Sequence, residues 1–326
     1  MKTQVVYVLT SDNNDVYLEQ TFVSICSLRK HNPDVQVILV VDQKTNDTIT
    51  GKRAYILKYI TQIIAIDVPL NFTKVQRSRF LKTSLREYII GDFLFIDSDT
   101  IITSSLEELD NLKVDIAAVK DYHLAFNELQ QNRFITQLAK KIGWKIVDKN
   151  FIYFNSGVIF VKDTIKSHNF YKKWHQEWLN SIKNGFHYDQ PAFGKTNAEK
   201  QLIEELGGEW NCQILENGIP FLLDAKIIHY YASSYNRKND TPPYTFIKSA
   251  IFQEIKEKGE LSTSINDLID NPKSKPFATQ IKLISGSDIE LLSSQLYRSI
   301  SNLFYKNPTI FHTIERAIKF IKKIIK

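Results

Sequence analysis

The sequence predicts an α/β protein: a mostly parallel central sheet with helices on both faces, followed by a helical C-terminal appendage. Three observations carry this. Strand-like and helix-like patterns alternate through the N-terminal third of the chain. The strand candidates are near-continuous apolar runs, as strands covered on both faces require. One of them, Phe93-Leu94-Phe95-Ile96, stops at two carboxylates one residue apart, Asp97 and Asp99. In open sheets of this class ligands bind beyond the carboxyl ends of the strands, which is where that pair falls.

Gln4 to Thr10 reads as the first strand. Tyr17 to Lys30 carries Leu18, Phe22 and Ile25 at helical spacing with Cys26 on the same apolar face, and Val35 to Val41 is a β-branched run ending at Asp42. Arg53 to Ile60 has a helical pattern, Ile63 to Val68 is a strand closed by Pro69, and Arg77 to Ile90 is a helix leading into the aspartate strand. Right-handed crossovers in such a series put every strand end at one edge, so Ser11 to Asn14 and Asp97 to Asp99 are expected to meet. Beyond Leu109 the pattern loosens into a short strand at Ile116 to Val119, a helical excursion from Leu124 to Trp144, and a strand from Phe151 to Val161 interrupted by Asn155-Ser156-Gly157. Glycine inside a strand pattern marks either close approach by a ligand or a plain bulge. Thr164 to Asn184 is a long helix whose Tyr171, Trp174 and Trp178 form a stripe expected to pack in the core, and the last strand runs from Ile227 to Tyr230.

Asn271-Pro272-Lys273-Ser274-Lys275-Pro276 reads as a linker and Ser287-Asp288-Ile289-Glu290 as a capping box. Pro308 opens a final helix with Ile310, Ile314, Ala317, Ile318, Ile321 and Ile325 on one side and Arg316, Lys319, Lys322, Lys323 and Lys326 on the other. The expected division is a ligand-binding domain over 1–245 and a helical region over 246–326 that ends in this basic amphipathic helix, about 308–326.

Hydrophobic residues make up 43% and charged residues 24% of the 326, which fits a globular protein with one large core. No run approaches the roughly 18 apolar residues of a membrane span. The N-terminus lacks the apolar stretch and cleavage site of a secretory leader, which points to the cytoplasm, and Cys26 and Cys212 offer neither a disulfide framework nor a cysteine metal site. The formal charge is +6, and from Lys306 onward six basic residues stand against one acid, Glu315, so the rest is close to neutral. That balance excludes a general nucleic-acid-binding surface. It turns attention to the tail, which has the form of an anchor for an anionic membrane surface, or else of a helix docked on its own domain.

Residues two apart in a strand point the same way, so Asp97 and Asp99 can share one hard cation that neutralises a diphosphate; the alternative is a solvated strand-to-loop turn. His229, at the end of its strand, is a candidate third ligand, because imidazole beside carboxylates suits manganese. Arg79 and Lys82, one turn apart ahead of the aspartate strand, are candidates for phosphate or sugar contact, or else a solvated helix face.

Phe93 to Thr100, Tyr153-Phe154-Asn155-Ser156-Gly157-Val158, Asp189-Gln190, Trp210-Asn211 and Ile228-His229-Tyr230 follow one another along the chain. In that order it resembles glycosyltransferase family 8, retaining enzymes of the Rossmann-like GT-A fold, over roughly residues 3 to 235. The resemblance implies Asp97, Asp99 and His229 as ligands of Mn2+, with Mg2+ as the alternative ion. It implies Asp12 with one of Asn13 or Asn14 as the loop that holds the nucleoside, Asp121, Asn155 and Asp189 as donor-sugar contacts, and Gln190 near the reactive face of the anomeric carbon, so that Asp189 and Gln190 are the expected catalytic pair. Thr10, Ser98 and Ser156 with the candidates Arg79 and Lys82 complete the expected donor site. An amide is a poor nucleophile, so front-face transfer is the easier account of retention than a covalent adduct at Gln190. The activity implied is transfer of a hexose from a nucleotide sugar, a UDP-hexose first, to a saccharide or lipid-linked glycan, in the cytoplasm or on the inner face of the plasma membrane. A catalytically silent nucleotide-sugar-binding subunit of a polysaccharide-synthesis complex is the alternative. A nucleotidyltransferase is disfavoured, since no Gly-rich phosphate loop precedes a lysine near the N-terminus. Two departures stand out: Asp15 and Val16 intervene before Tyr17 where the family has an aromatic residue directly after its Asn, and Arg237 or Lys238 must stand in for the family's Lys after the histidine.

Overall fold

The computed structural model describes residues 1–129, 132–146, 150–230, 246, 248–274, 290–292 and 294–325. The chain forms two compact units, Met1–Thr279 and Gln280–Lys326. The expected boundary at 245, most of the capping box at 287–290, the end of the linker at 271–276, and Arg237 and Lys238 lie outside the described residues.

In the first unit the early alternation becomes β1 (Gln4–Leu9), α1 (Tyr17–His31), β2 (Val37–Asp42), the short helix α2 (Gln43–Asn46), β3 (Gln62–Ile66), α3 (Lys74–Thr83), α4 (Leu85–Tyr88) and β4 (Phe93–Ile96). All of β2 and β4 is buried, as their uninterrupted apolar sequences require. The two-residue period of a strand sends Val5, Tyr7 and Leu9 into one core with Leu18, Phe22 and Ile25 of α1, and Val6 into the opposite core with Phe93, Phe95 and Trp174. The helix expected over Arg77–Ile90 starts earlier, where Thr73 and Gln76 cap each other, and breaks at Ser84. There the Ser84 hydroxyl donates to the Phe80 carbonyl at 2.8 Å, a local side-chain bond of the kind that bends helices.

The seven strands of the main sheet lie in the order β3-β2-β1-β4-β7-β6-β8, where β6 is Ile116–Lys120, β7 Phe154–Val161 and β8 Ile203–Glu205. All are parallel except β7, which runs against both β4 and β6. The chain steps from β1 outward to β3 and then returns to the other side of β1, so the switch point lies between β1 and β4. The reversal of β7 matters equally. Antiparallel neighbours need no crossover, so the described residues between β6 and β7, which include the helix α5 (Asn132–Lys141), leave and re-enter the sheet at the end where β1 and β4 also terminate. The same reversal makes the start of β7, with Asn155, Ser156 and Gly157, face the switch point. Val119 alone stands opposite Asn155–Val158, so the expected interruption is a bulge of several residues, larger than the usual two opposite one.

Three further elements complete the frame. The helix α6 (Ile165–Lys183) has a Thr164 cap, and its Tyr171, Trp174 and Trp178 are buried as expected. Two of these also hold the next segment: Trp174 Nε1 donates to the Asp189 carbonyl and Trp178 Nε1 to the His187 carbonyl, both at 3.1 Å, at the entrance to α7 (Gln190–Lys200). A second, small sheet pairs β10 (Ile227–His229) antiparallel to β5 (Thr100–Ile102) and parallel to β9 (Cys212–Gln213). The helices α8 (Ser249–Lys258) and α9 (Thr263–Asp270) bury Ile251, Phe252, Ile255, Ile265 and Ile269 in the core shared with α1.

The second unit contains helices Gln295–Lys306 and Pro308–Ile325, which meet through Phe304 and Phe311, ring centroids 4.9 Å apart. Ile310, Ile314, Ile318 and Ile321 of the last helix are all exposed, and no described helix is long and apolar enough to cross a membrane.

Candidate active site

A cleft of about 520 Å³ opens at the switch point, lined among others by Thr10, Lys82, Asp97, Asn155, Gln190 and His229. Its floor is set by backbone pairing. The Asp97 N–H donates to the Gly157 carbonyl at 2.7 Å, and the Tyr230 N–H to the Asp99 carbonyl at 2.9 Å. In the β5–β10 ladder His229 stands opposite Thr100. The register therefore carries His229, far away in sequence, to the two aspartates, and the ligand atoms of all three lie within 4.8 Å of one another.

The hydrogen bonds fix what the histidine offers. Asn211 donates its Nδ2 to Asn155 Oδ1 at 2.9 Å, so its Oδ1 faces His229 Nδ1 at 3.0 Å and accepts that proton. The other nitrogen, Nε2, then presents its lone pair to Asp99 Oδ1 at 3.2 Å. Two acceptors facing each other require a proton or a cation between them, and an orienting partner on the far nitrogen is the usual support of a metal-binding histidine. Burial raises the Asp97 carboxyl, Lys82 opposes that rise and the Asp99 charge adds to it, as expected for a donor set assembled around missing positive charge. Gly157 leaves the room: a Cβ there would stand 2.4 Å from His229 Cε1 and 2.8 Å from Asp97 Oδ2. The three residues fit a divalent cation. Held there, it would supply the positive charge that a departing diphosphate needs.

Beside this set lies a polar cage. Asn155 Nδ2 and Gln190 Nε2 donate to the two oxygens of Asp121 at 2.9 and 2.8 Å, and Gln190 Oε1 accepts from the Ser156 N–H at 3.2 Å. The Gln190 amide is thus oriented from both ends. Asp189 is bound by Arg79 Nε at 2.9 Å, Lys82 Nζ at 3.1 Å and the Ser156 hydroxyl at 3.0 Å. Burial alone would raise its carboxyl, but Lys82 and Arg79 outweigh burial and hold it well below the usual carboxylate range. Lys82 also lies 3.5 Å from Asp97 and sits over the Phe95 ring, linking the cage to the aspartate pair.

The nucleoside-loop candidates are arranged less directly. Thr10 lines the cleft and donates to the Lys74 carbonyl at 3.3 Å, and Ser98 lines it while accepting from the Thr21 hydroxyl at 2.7 Å. Asn13 and Asn14 are exposed and do not line it. The Asp12 and Asp15 carboxylates share the Lys74 ammonium at 2.5 and 2.7 Å. Asp15, whose presence departs from the family pattern, also accepts from the Asp12 and Tyr17 N–H groups and the Ser11 hydroxyl. It shapes the loop so that Tyr17 still lines the cleft. Sequence reasoning missed Lys74, which shares one face of α3 with Ser78 and Lys82 at helical spacing; that polar stripe was the available signal. It also missed Tyr122 and Phe134, cleft residues contributed by the 121–153 excursion, where no motif marks them.

This cation-and-amide constellation over a β-α-β switch point coincides with a match to the family model for glycosyl transferase family 8 over residues 8–235. The chain belongs to glycosyltransferase family 8. Among solved structures it is similar to the galactosyltransferase LgtC in complex with donor and acceptor sugar analogues, at 17% identity and a TM-score of 0.53, covering 81% of this chain and 99% of that one. It is also similar to the WbbM bifunctional glycosyltransferase, at 14% identity and a TM-score of 0.51, covering 80% of this chain and 52% of that one. At such identities these likenesses speak for the α/β GT-A-like fold. A curated relative, an uncharacterised protein of Acanthamoeba polyphaga mimivirus, is 24% identical over 149 residues, which span 42% of this family 8 chain and half of the relative.

Two outcomes follow from the geometry. Gly157→Ala should displace the His229 ring and lower manganese affinity at least tenfold, read by calorimetry, while the fold persists by circular dichroism; undiminished affinity would remove His229 and Gly157 from the cation site. In the metal-free protein, burial pushes the Asp121 carboxyl from 3.8 up to about 6, against the hydrogen bonds of Asn155 and Gln190. A raised carboxyl favours the folded state while protonated, so this contribution is full below about pH 4 and is lost as pH rises through about 6. Asp121→Asn lacks that titration. Its unfolding free energy relative to wild type should therefore improve by up to ~3 kcal/mol from pH 4 to 6.5, and a flat difference across that window contradicts a raised Asp121.

Proposed function

We propose that this family 8 protein is a metal-dependent, retaining hexosyltransferase that moves a hexose from a nucleotide sugar, a UDP-hexose first, to a saccharide or lipid-linked glycan. The observation that carries the reading is the junction of Asp97, Asp99 and His229 with the Asp121–Asn155–Gln190–Asp189 cage in one cleft at the switch point. Each part meets one demand of the reaction. Asp97, Asp99 and His229 would hold Mn2+, or Mg2+ in its place, whose charge would stabilise a departing diphosphate. Lys82 and Arg79 add positive charge on the same side and keep Asp189 ionised. Asp121, Asn155 and Asp189 offer acceptors and donors to sugar hydroxyls. Gln190, its amide fixed by Asp121 and Ser156, would orient the anomeric centre without forming a bond to it. Thr10 and Tyr17 would border the nucleoside end, with Asp12, Asn13 and Asn14 outside the cleft lining. A silent scaffold has no use for so complete a set.

The test is donor turnover. Incubation with a panel of nucleotide sugars and manganese should release nucleotide slowly from a UDP-hexose, and Asp97→Ala should lower the rate at least 100-fold. The anomeric proton of the product should show the donor's configuration by NMR. Absence of release with every donor would return the scaffold reading, and an inverted product would sink retention.

For the C-terminal helices the reading is attachment to an anionic membrane surface on the cytoplasmic side of the plasma membrane. Support comes from the exposed Ile310, Ile314, Ile318 and Ile321 along one side of a helix whose sequence is rich in lysine. Each basic residue at an anionic surface is worth about 1 kcal/mol. Deleting 307–326 should therefore abolish sedimentation with phosphatidylserine vesicles; unchanged sedimentation would rule out the anchor.

A further inference from the structure

The family match ends at residue 235, yet a helix that comes later holds the loop between two cleft residues, Thr10 and Tyr17. The loop from Ser11 to Asp15 joins β1 to α1 and carries Asp12. It makes no regular structure of its own, so its shape depends on the groups that take up its polar atoms. From the cleft side Lys74 binds its two carboxylates. From behind, two cations that do not line the cleft take its carbonyls: Arg53 Nη1 donates to Asp12 O at 2.7 Å, and Lys256 Nζ donates to Asn13 O at 2.5 Å and Asp15 O at 2.8 Å.

Lys256 belongs to α8. That helix is anchored by Ile251, Phe252 and Ile255 in the core that also holds Leu18, Phe22 and Ile25 of α1. The reach of its ammonium is therefore fixed by packing rather than by chance at a surface. The same segment also touches the aspartate turn. Phe246 stacks obliquely on Tyr230 with centroids 5.4 Å apart, and Phe246 and Phe252 border a small crevice whose other walls include Ser98, Asp99 and Thr100. Phe246 and α8, both outside the matched region, thus back the aspartate turn and the loop whose flanking residues Thr10 and Tyr17 line the cleft.

We propose that α8 is a positioning element of the donor site, in which Lys256 clamps the Ser11–Asp15 loop in its nucleoside-binding form. This rests on reading the cleft as a nucleotide-sugar site. Lys256 touches no reacting group; it acts through the loop carbonyls. Removing its ammonium frees two carbonyls on a loop that must be ordered to bind nucleotide, so the ordering cost moves into the binding step. Affinity for the nucleotide portion should fall while the chemistry, once the donor is bound, keeps its rate.

The experiment uses the full chain with Lys256→Met, Lys256→Arg and, as a control on the same helix, Lys258→Met, whose side chain pairs with Glu254 and does not reach the loop. Hydrogen exchange without nucleotide reports the loop, calorimetry with UDP and manganese reports affinity, and turnover of a UDP-hexose reports KM and kcat separately. Lys256→Met should speed exchange in residues 11–16 several-fold, weaken UDP about tenfold and raise donor KM to match, with kcat within about twofold of wild type. Lys256→Arg, which retains a charged donor for both carbonyls, should recover most of the loss, and Lys258→Met should behave as wild type. Unchanged loop exchange in Lys256→Met overturns the proposal. So does an equal fall in Tm and kcat in both Lys256 variants with donor KM unmoved, which would mark a merely structural contact. Should wild type fail to bind UDP while the loop still loosens in Lys256→Met, the clamp stands and the donor reading falls.

Discussion

The antiparallel pairing of β10 with β5 is the constraint on which the site depends. It sets His229 opposite Thr100 and ties the Tyr230 N–H to the Asp99 carbonyl, so that an imidazole meets two carboxylates of the β4–β5 turn some 130 positions earlier, a turn rather than the strand end expected from the sequence. Backbone ladders are stiff and cooperative, and they place this side chain more securely than a loop could. The rest of the site uses that anchorage: Asn211 orients His229, and Gly157 gives way to it.

From there the polar groups form a continuous circuit. It runs from Asp99 through His229, Asn211 and Asn155 to Asp121, on through Gln190 and Ser156 to Asp189, and back through Lys82 to Asp97. In a buried setting such a circuit strengthens each of its members and makes deletions non-additive. It also means that the aspartate–histidine cluster and the amide cage are not separate. Altering the charge at Asp97 reaches Asp189 through a single ammonium, and the amide of Gln190 is held by the same Asp121 that Asn155 supports.

The circuit explains why some residues were readable and others were not. Asp97 and Asp99 announce themselves because a buried apolar strand ending in paired carboxylates is costly without a purpose. Lys256 does not, because a lysine on an amphipathic helix has the same sequence appearance whether it faces solvent or a loop carbonyl. Tyr171, Trp174 and Trp178 were legible as core, but the indole N–H bonds by which two of them hold Asp189 and His187 in place were not, since the stripe says which side is buried and nothing about what it touches. Asp15 read as a departure from the family pattern, and it proved to be the residue that organises the loop.

The sequence by itself determined the alternation of strands and helices, the burial of β2 and β4, the edge at which the strands end, and the residue types available there. These follow from local periodicity and from the cost of burying polar groups, which act over a few residues. The tertiary structure alone decided the reversal of β7, the partner of each ionised group, and the contact of Lys256 with the Ser11–Asp15 loop. Those depend on register and on contacts between segments far apart in the chain, and no pattern within a single segment encodes the distance between two side chains that only the folded sheet brings together.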